Sequence, residues 1–290
     1  MLGEVNNSMA RLAESQLRMA SQKKIEKPSD SPGDLQALLA AKDQLTVSAG
    51  YRENIESAML RLRAADSGVS AVYDRLMSAK EAIVRVNGAM SEGARSALAE
   101  ELENLIKAVV EELNSRDGGE YIFAGTASGA APFSVTRGPD PDGAVRIQSA
   151  LYSGNGASRS AEVSATRSEE TGVPGDEVAG ASPGCVLDTL IGLRRAVLDG
   201  SPTAALQDAA DAHMSRLDAL QVRLGSRISY LSGLKDRLVS ADLQTEARRS
   251  SLEDTDFTEE VLAQGRRQVE YEAVLSAAAR RSKLSLINYL

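Results

Sequence analysis

The chain has 290 residues, 42% of them apolar and none of them Trp, so its core must be built from aliphatic side chains. Its formal net charge of -8 and isoelectric point near 5.0 disfavour a nucleic-acid binder, which usually needs a basic face. A single cysteine, Cys185, excludes an internal disulfide, and its Ser-Pro-Gly-Cys context indicates a bystander rather than a reactive thiol. The N-terminal sequence lacks the apolar segment of a secretory signal, and no run approaches the roughly 18 apolar residues of a membrane span.

The N-terminal segment, residues 5–21, is predicted to form a short amphipathic helix. Its apolar side chains recur every three or four residues, which places them on one helical face. That face consists of Val5, Met9, Leu12 and Met19. A charged and Pro-containing segment interrupts the pattern at residues 23–30. Ser31, Pro32 and Asp34 then predict a new helix start, because Ser caps, Pro suits the first turn and Asp favours the positive dipole end.

Two helices follow, separated by a break at Asn87-Gly88. The first has a nearly faultless heptad seam, which must face partner helices. The seam is formed by Ile55, Met59, Leu62, Asp66, Val69, Val72, Leu76, Ala79, Ile83 and Val86. The second carries Leu98, Leu102, Leu105, Val109 and Leu113. Its acidic cluster of Glu100, Glu101 and Glu103 predicts a solvated face rather than a metal site, because no His or Cys accompanies it.

The pattern changes at residues 118–133, GGEYIFAGTASGAAPF. Tyr121, Phe123 and Phe133 concentrate aromatic side chains here in a chain with 3% aromatics. We predict that these three residues form the seam between the helices and an inserted domain, while the surrounding glycines let the chain turn. Short alternating runs between residues 133 and 170 predict a β-meander, and the Gly/Pro-rich segment 171–185 predicts a return linker.

Helical periodicity returns at Val186 and, after Ser201-Pro202, continues along a stripe that contains His213. As the only histidine, His213 is predicted to be structural, with a pH-sensitive contact as the alternative. A last helix is predicted from about Phe257. Its apolar face extends to the C-terminus, where polar residues are more usual, and therefore indicates a binding partner. The candidates on this face are Leu262, Val269, Leu275, Leu284, Ile287 and Leu290.

These elements predict a mainly α fold, in which a long antiparallel helical rod or coiled-coil bundle is built from both termini and carries a small inserted β-rich domain. The predicted parts are an N-terminal assembly helix, the N-terminal half of the rod, the inserted domain, the C-terminal half of the rod and a C-terminal assembly helix. They occupy residues 1–30, 31–131, 132–185, 186–250 and 251–290, respectively.

No catalytic constellation is visible in the sequence. One His and one Cys exclude most sites based on these residues, and the Gly-rich stretch at 118–129 lacks the Gly-Lys-Ser/Thr of a phosphate loop. The arginine pairs at 248–249, 266–267 and 280–281 are interleaved with glutamates, which favours an ion-paired helix face over contacts to nucleic acid or anionic lipid. We therefore predict a protein that is not an enzyme, with no cofactor and no metal.

Three groups of segments stand out in chain order: KPSDSP at 27–32, FAGT at 123–126 with Pro132-Phe133, and EDTDF followed by the SLINYL end. Together they resemble the hook-associated protein 3 family, the hook–filament junction proteins within the flagellin superfamily. The resemblance covers roughly residues 15–136 and 205–290. The FAGT segment favours the junction protein over flagellin itself. The segment before KPSDSP is shorter than in the family, through either a late start or a shortened helix, so no family residue is transferred there.

The resemblance implies a structural subunit that links hook to filament by coiled-coil self-assembly in a ring. The implied partners are further copies of itself, flagellin, a neighbouring hook-associated protein and a flagellar export chaperone, but neither nucleic acid nor membrane. The implied location is the extracellular flagellum, reached by the flagellar type III route without a Sec signal, with terminal segments that are disordered in the free subunit. The alternatives are a flagellin or a soluble coiled-coil binding module.

Overall fold

The computed structural model describes residues 2–25, 27, 29–85 and 90–287, and within these ranges it describes the side chains of residues 3–280. The described helices are α1 (Leu2–Ser21), α2 (Pro32–Val84), α3 (Glu92–Leu113), α4 (Gly175–Ala179), α5 (Val186–Asp199), α6 (Ala204–Glu253) and α7 (Phe257–Ile287). The described strands are β1 (Arg116–Asp117), β2 (Glu120–Tyr121), β3 (Phe133–Pro139), β4 (Val145–Tyr152), β5 (Ser160–Ser164) and β6 (Arg167–Glu170). The prediction of a mainly α chain, with long helices towards both termini and a small inserted domain of short antiparallel strands, is confirmed.

Most helix boundaries follow the local signals in the sequence. At the start of α2, Ser31 Oγ donates a hydrogen bond to Asp34 Oδ2 over 2.8 Å, and the Leu35 amide donates to the Ser31 carbonyl. Ser91 caps α3 by accepting from the Ala94 amide. The expected break at Asn87-Gly88, together with Val86, lies outside the described residues. The expected restart at Ser201-Pro202 is two residues too early, because the helical hydrogen bonds of α6 begin at the Thr203 carbonyl.

The chain divides into two compact units, Met1–Ala49 with Leu238–Leu290, and Gly50–Arg237. The first, here called the terminal unit, contains α1, α7 and the adjoining segments of α2 and α6. The second, here called the central unit, contains the rest of both long helices and all the described strands.

The core of the central unit is built on the predicted seam of α2. Ile55, Leu62, Val69, Val72 and Leu76 are all 0% exposed, so the heptad spacing identified buried positions correctly. The helix α3 packs against α5, and β4 contacts both helices. On α3, Ile106 is buried where Leu105 was predicted to be. A broad apolar stripe permits such a shift of one position.

The strands form three separate antiparallel pairs, β1–β2, β3–β4 and β5–β6. The predicted continuous meander is therefore wrong, since β4 and β5 are not paired. The chain leaves β4 through a turn that is held by Asn155, whose side-chain oxygen accepts from the Thr126 amide over 2.9 Å. The turn predicted near residues 139–143 is present, with Gly143 at a φ of 79° and the Asp140 amide bonded to the Ala144 carbonyl.

The single cysteine and the single histidine both lie in the core of the central unit. Cys185 is buried and caps α5: its sulfur accepts from the Asp188 amide over 3.4 Å, and the Asp188 carboxylate accepts from the Cys185 amide. The buried thiol therefore acts as a capping group for α5. His213 is 8% exposed, with Nε2 3.0 Å from Thr189 Oγ1, as expected for a structural histidine.

Candidate assembly surface

The terminal unit is organised by the antiparallel pairing of α1 with α7. Ser15, which is 0% exposed, donates from Oγ to Glu260 Oε1 over 2.5 Å. The direction of pairing is fixed where the helices meet their neighbours, because the Lys24 amide donates to the Glu253 carbonyl and the Thr255 amide donates to the Gln22 carbonyl. The end of α1 is thereby held beside the start of α7.

The predicted apolar face of α1 is divided by this pairing. Val5, Leu12 and Met19 are half-buried, and they share a heptad seam with Ser15, whose partner is on α7. Met9 is 57% exposed and lies off the seam. Three of the four predicted N-terminal residues therefore occupy the intramolecular seam.

Two described members of the predicted apolar face of α7 lie away from α1. Leu262 and Val269 are 62% and 66% exposed, and at 3.6 residues per turn they lie on the side of the helix opposite Glu260. Leu275 is 40% exposed, but it lies about 60° from Glu260 and about 120° from Val269 in helical projection, so it flanks the side that meets α1. Leu284 and Ile287 are helical, but their side chains lie outside the described part of the chain, and Leu290 lies outside the described residues altogether.

Other large apolar side chains extend this surface. Phe257 and Val261 are 55% and 42% exposed, next to Leu275 in helical projection. We call Leu262 and Val269, together with Phe257, Val261 and Leu275 along one flank, the outward face of α7. Large apolar side chains that a single molecule leaves exposed on one helix are typical of an interaction site.

The junction between the two helix pairs of the terminal unit is held by a carboxylate that sequence analysis did not single out. Glu253 ends α6, and its side chain is 3% exposed. Its Oε1 lies 2.9 Å from Lys23 Nζ and 2.9 Å from Lys42 Nζ, and its Oε2 lies 2.9 Å from Arg249 Nη1. Burial by itself raises the pKa of Glu253, but hydrogen bonds from Lys23 and Lys42 outweigh it and lower the pKa to about 2.

Two of the three predicted seam aromatics meet in the central unit. Phe123 is 0% exposed and packs so closely on α2 that a Cβ on Gly68 would lie 2.7 Å from Phe123 Cζ. Phe133 is 4% exposed, and its ring centroid lies 5.0 Å from that of Tyr152. The Tyr152 hydroxyl in turn lies 3.1 Å from the Phe123 carbonyl oxygen, which links the two aromatics.

The third aromatic, Tyr121, lies apart from this pair in the β1–β2 hairpin. It is half-buried, with the Arg116 guanidinium 4.2 Å above its ring. Tyr152 and Asn114, which the sequence patterns did not single out, both contact Phe133. The Asn114 side chain makes two hydrogen bonds of 2.9 Å to the backbone of Phe133: its Nδ2 donates to the Phe133 carbonyl, and its Oδ1 accepts from the Phe133 amide. An Asn just after a helix is a recognisable helix-end signal, but its partner could not be read from the sequence.

A buried ionic network connects the β3–β4 hairpin to α3 and α5. Arg194 has a fully buried side chain that pairs with Glu103 and with Asp140, and it donates to the Ile147 carbonyl over 2.7 Å. Arg146, 4% exposed, pairs with Asp140 as well. The prediction that Glu103 belongs to a solvated face is therefore wrong, because that residue is 1% exposed and ion-paired.

The described residues offer neither a metal-binding cluster nor a membrane-spanning helix. No group of three or more His, Cys, Asp or Glu side chains there could hold a metal ion. No described helix combines the length and the apolar character that a membrane crossing requires. The described members of the arginine pairs include Arg249 and Arg267, which are ion-paired with Glu246 and Glu260.

Comparison with known proteins shows that the chain is similar to flagellin-like proteins of the flagellum in part of its sequence and in its fold. Residues 1–128 match the bacterial flagellin N-terminal helical region. In solved structures, the fold is similar to a putative flagellar hook-associated protein from Vibrio parahaemolyticus, with a TM-score of 0.67, 20% identity and coverage of 78% of this chain and 100% of that one. It is also similar to flagellar hook-associated protein 3 from Legionella pneumophila, with a TM-score of 0.62, 14% identity and coverage of 73% and 98%.

Sequence comparison gives a more specific resemblance, to two curated proteins of the same name. The chain is 29% identical over 182 residues to flagellar hook-associated protein 3 of Escherichia coli (strain K12), covering 60% of this chain and 52% of that protein. It is 32% identical over 142 residues to the protein of the same name from Salmonella typhimurium (strain LT2), covering 46% and 43%. The matched region spans about half the length of these relatives or less. The predicted resemblance to the hook-associated protein 3 family is confirmed.

Proposed function

We propose that this protein is a structural component of the bacterial flagellum, the junction subunit that links hook to filament by self-assembly through its terminal helices. The proposal is supported by the names of its relatives, by the flagellin-like N-terminal region and by the shared fold. In this proposal, residues 1–30 and 251–290 are assembly helices, residues 31–131 and 186–250 form the inner helices, and residues 132–185 form the inserted domain.

The observation that carries this proposal is the outward face of α7. Because α1 covers the other side of this helix, Leu262 and Val269 need a second molecule to be buried. Full burial of such a side chain is worth about 1.5–3 kcal/mol, and roughly half of that is still available because the five side chains are 40–66% exposed. We propose that the occupant is a neighbouring copy in a ring.

The other proposed partners follow from the place of a junction subunit. It contacts flagellin on the filament side and a neighbouring hook-associated protein on the other, and an export chaperone accompanies it before assembly. It functions outside the cell in the flagellum and is exported by the flagellar type III route without a Sec signal.

The test is deletion of the gene, followed by complementation. Deletion should give cells that have hooks but no filaments and that release flagellin into the medium. Complementation with the unchanged chain should restore filaments, whereas Leu262→Asp with Val269→Asp should not. Ile287→Asp is expected to act in the same way.

The matched control is Val222→Asp, which places the same charge on a 75% exposed apolar position of α6 in the central unit. It should complement normally, and both variants should melt at the temperature of the unchanged chain. Normal filaments in the double variant would contradict the role of the outward face of α7.

A flagellin is the second candidate, because the matching N-terminal family is named for flagellin. The two functions differ in stoichiometry. A flagellin would dominate sheared filaments, whereas a junction subunit would be a minor component at one end. Quantitative mass spectrometry of sheared filaments decides between them.

A further inference from the structure

Glu253 joins three chain segments at the base of the α1–α7 pair. Its partners are Lys23 in the segment after α1, Lys42 on α2 and Arg249 on α6, each at 2.9 Å. Its carbonyl oxygen also accepts from the Lys24 amide over 2.8 Å. Glu253 therefore connects the linker that follows α1 with the helices α2 and α6.

The contacts around Glu253 continue into the backbone. Lys23 and Asp254 form an isolated antiparallel bridge, and the Thr255 amide donates to the Gln22 carbonyl over 2.9 Å. Lys24 Nζ reaches the Ser251 carbonyl over 2.7 Å. These hydrogen bonds join the linker after α1 to the linker before α7.

The charge balance makes the carboxylate the central member of this cluster. Three cations converge on it, and Lys23 and Lys42 are themselves 44% and 42% exposed. Without the carboxylate, these two lysines repel each other and can turn into solvent at little cost. Arg249 would keep its second partner, Glu246. Loss of Glu253 therefore releases the linkers from α2 while it leaves the helices themselves intact.

We propose that Glu253 is the positioning residue that orders the base of the terminal helix pair in the free subunit, before a second copy arrives. Ordering the base would lower the entropic cost of assembly, and only this consequence rests on the proposed function. The far ends of α1 and α7 remain free to fray, because a helix of this length is marginal without a covered face.

The test is amide hydrogen exchange on the full-length free subunit, read at Lys24 and Thr255, the two amides that bridge the linkers. In the unchanged chain both should exchange at least tenfold more slowly than unprotected amides. Glu253→Gln, which keeps the size and removes the charge, should abolish most of that protection. Amides of α3 in the central unit should not change.

The matched control is Glu246→Gln. It removes a carboxylate that also pairs with Arg249 but is 49% exposed and contacts neither lysine. It should leave the exchange of Lys24 and Thr255 unchanged. Lys42→Met should raise exchange at these amides by itself but add nothing in the Glu253→Gln background, because both changes break the same contact.

Unprotected Lys24 and Thr255 amides in the unchanged free subunit would overturn the proposal, as would unchanged protection in Glu253→Gln. These measurements need no assembled flagellum. A failure of the proposed junction function would therefore appear only in the complementation assay, as normal filaments in Leu262→Asp with Val269→Asp, and it would leave the exchange result for Glu253→Gln unaffected.

Discussion

The guanidinium of Arg194 and the carboxylate of Glu103 form an ion pair in the central unit with 0% and 2% of the two side chains exposed. The pair links α5 to α3, and Glu103 also accepts from the Ile147 amide on β4 over 3.1 Å. Asp140 and Arg146 extend the network to the β3–β4 turn. The hairpin is therefore attached to the helices by buried charge as well as by aromatic packing.

Removing one member of this network should be strongly destabilising. Glu103→Gln leaves the Arg194 charge short of its partner in a dry site, which typically costs about 3–5 kcal/mol. Chemical denaturation of the chain should show this loss. Glu101→Gln on the same helix removes a 47% exposed carboxylate and should change the free energy of unfolding by no more than about 1 kcal/mol. Equal effects of the two variants would contradict the assigned role of the buried pair.

A second prediction concerns the contact between Gly68 and Phe123. In Gly68→Ala the new methyl group would lie 2.7 Å from Phe123 Cζ, so the variant should lose about 1–3 kcal/mol of stability. Gly50→Ala in the same helix has open space around its Cβ and should gain up to about 1 kcal/mol from helix propensity. Opposite signs in thermal denaturation are the expected result.

Phe123→Leu should rescue much of the loss in Gly68→Ala, because a smaller side chain makes room for the methyl group. Phe123→Ala by itself should cost about 3–5 kcal/mol and open the 118–133 segment to limited proteolysis. The α1–α7 pair, which belongs to the terminal unit, should be unaffected. Unchanged cleavage near 118–133 would count against a seam at Phe123.

A third prediction is an acid-sensitive central unit. Burial, and then the nearby Arg216 charge, lower the pKa of His213 below its ordinary value of 6.5. The folded state therefore favours the neutral ring, whose contribution to stability is complete above pH 6.5 and is lost as the pH falls towards the lowered pKa. The unfolding free energy should fall by up to about 1.4 kcal/mol per pH unit from this group.

Denaturant titrations between about pH 5 and 7 measure this slope in the range where a histidine titrates. Because Thr189 Oγ1 donates to the Cys185 carbonyl, His213 Nε2–H is the donor to Thr189. His213→Gln can supply a similar amide donor without titrating, and should flatten the slope. Since His213 is the only histidine, a slope that persists in this variant would assign the proton uptake to another group.

The fourth prediction concerns Cys185. Burial raises the pKa of its thiol, so reaction with a disulfide reagent should be slow and should accelerate only on unfolding. Cys185→Ala removes the cap of α5 and should cost about 0.5–2 kcal/mol, whereas Cys185→Ser keeps an acceptor and should cost less. Rapid labelling of the folded chain would contradict the capping role.

Local sequence patterns were sufficient at several positions where the structure depends on neighbours in the chain. The heptad spacing of Ile55, Leu62 and Val69 identified buried positions, because spacing alone determines which side chains share a helical face. The Ser31-Pro32 signal located the start of α2 for the same reason: a cap acts on residues within one turn.

Pairing across the chain could not be predicted in this way. Glu103 has its partner 91 residues away at Arg194, and in sequence it is one of several similar glutamates. The separate β3–β4 and β5–β6 pairs could not be distinguished from a meander, since alternation indicates strands but not their partners.

The terminal helices show most clearly what the sequence determines and what the tertiary structure decides. The sequence by itself determined that α1 and α7 are amphipathic, and the apolar face of α7 indicated a binding partner. Only the tertiary structure decided which side of α7 meets α1. The Ser15–Glu260 hydrogen bond and the contacts of Glu253 fix the rotation of the helix, and this leaves Leu262 and Val269 exposed. Those contacts join residues more than two hundred positions apart, a distance over which periodicity carries no information.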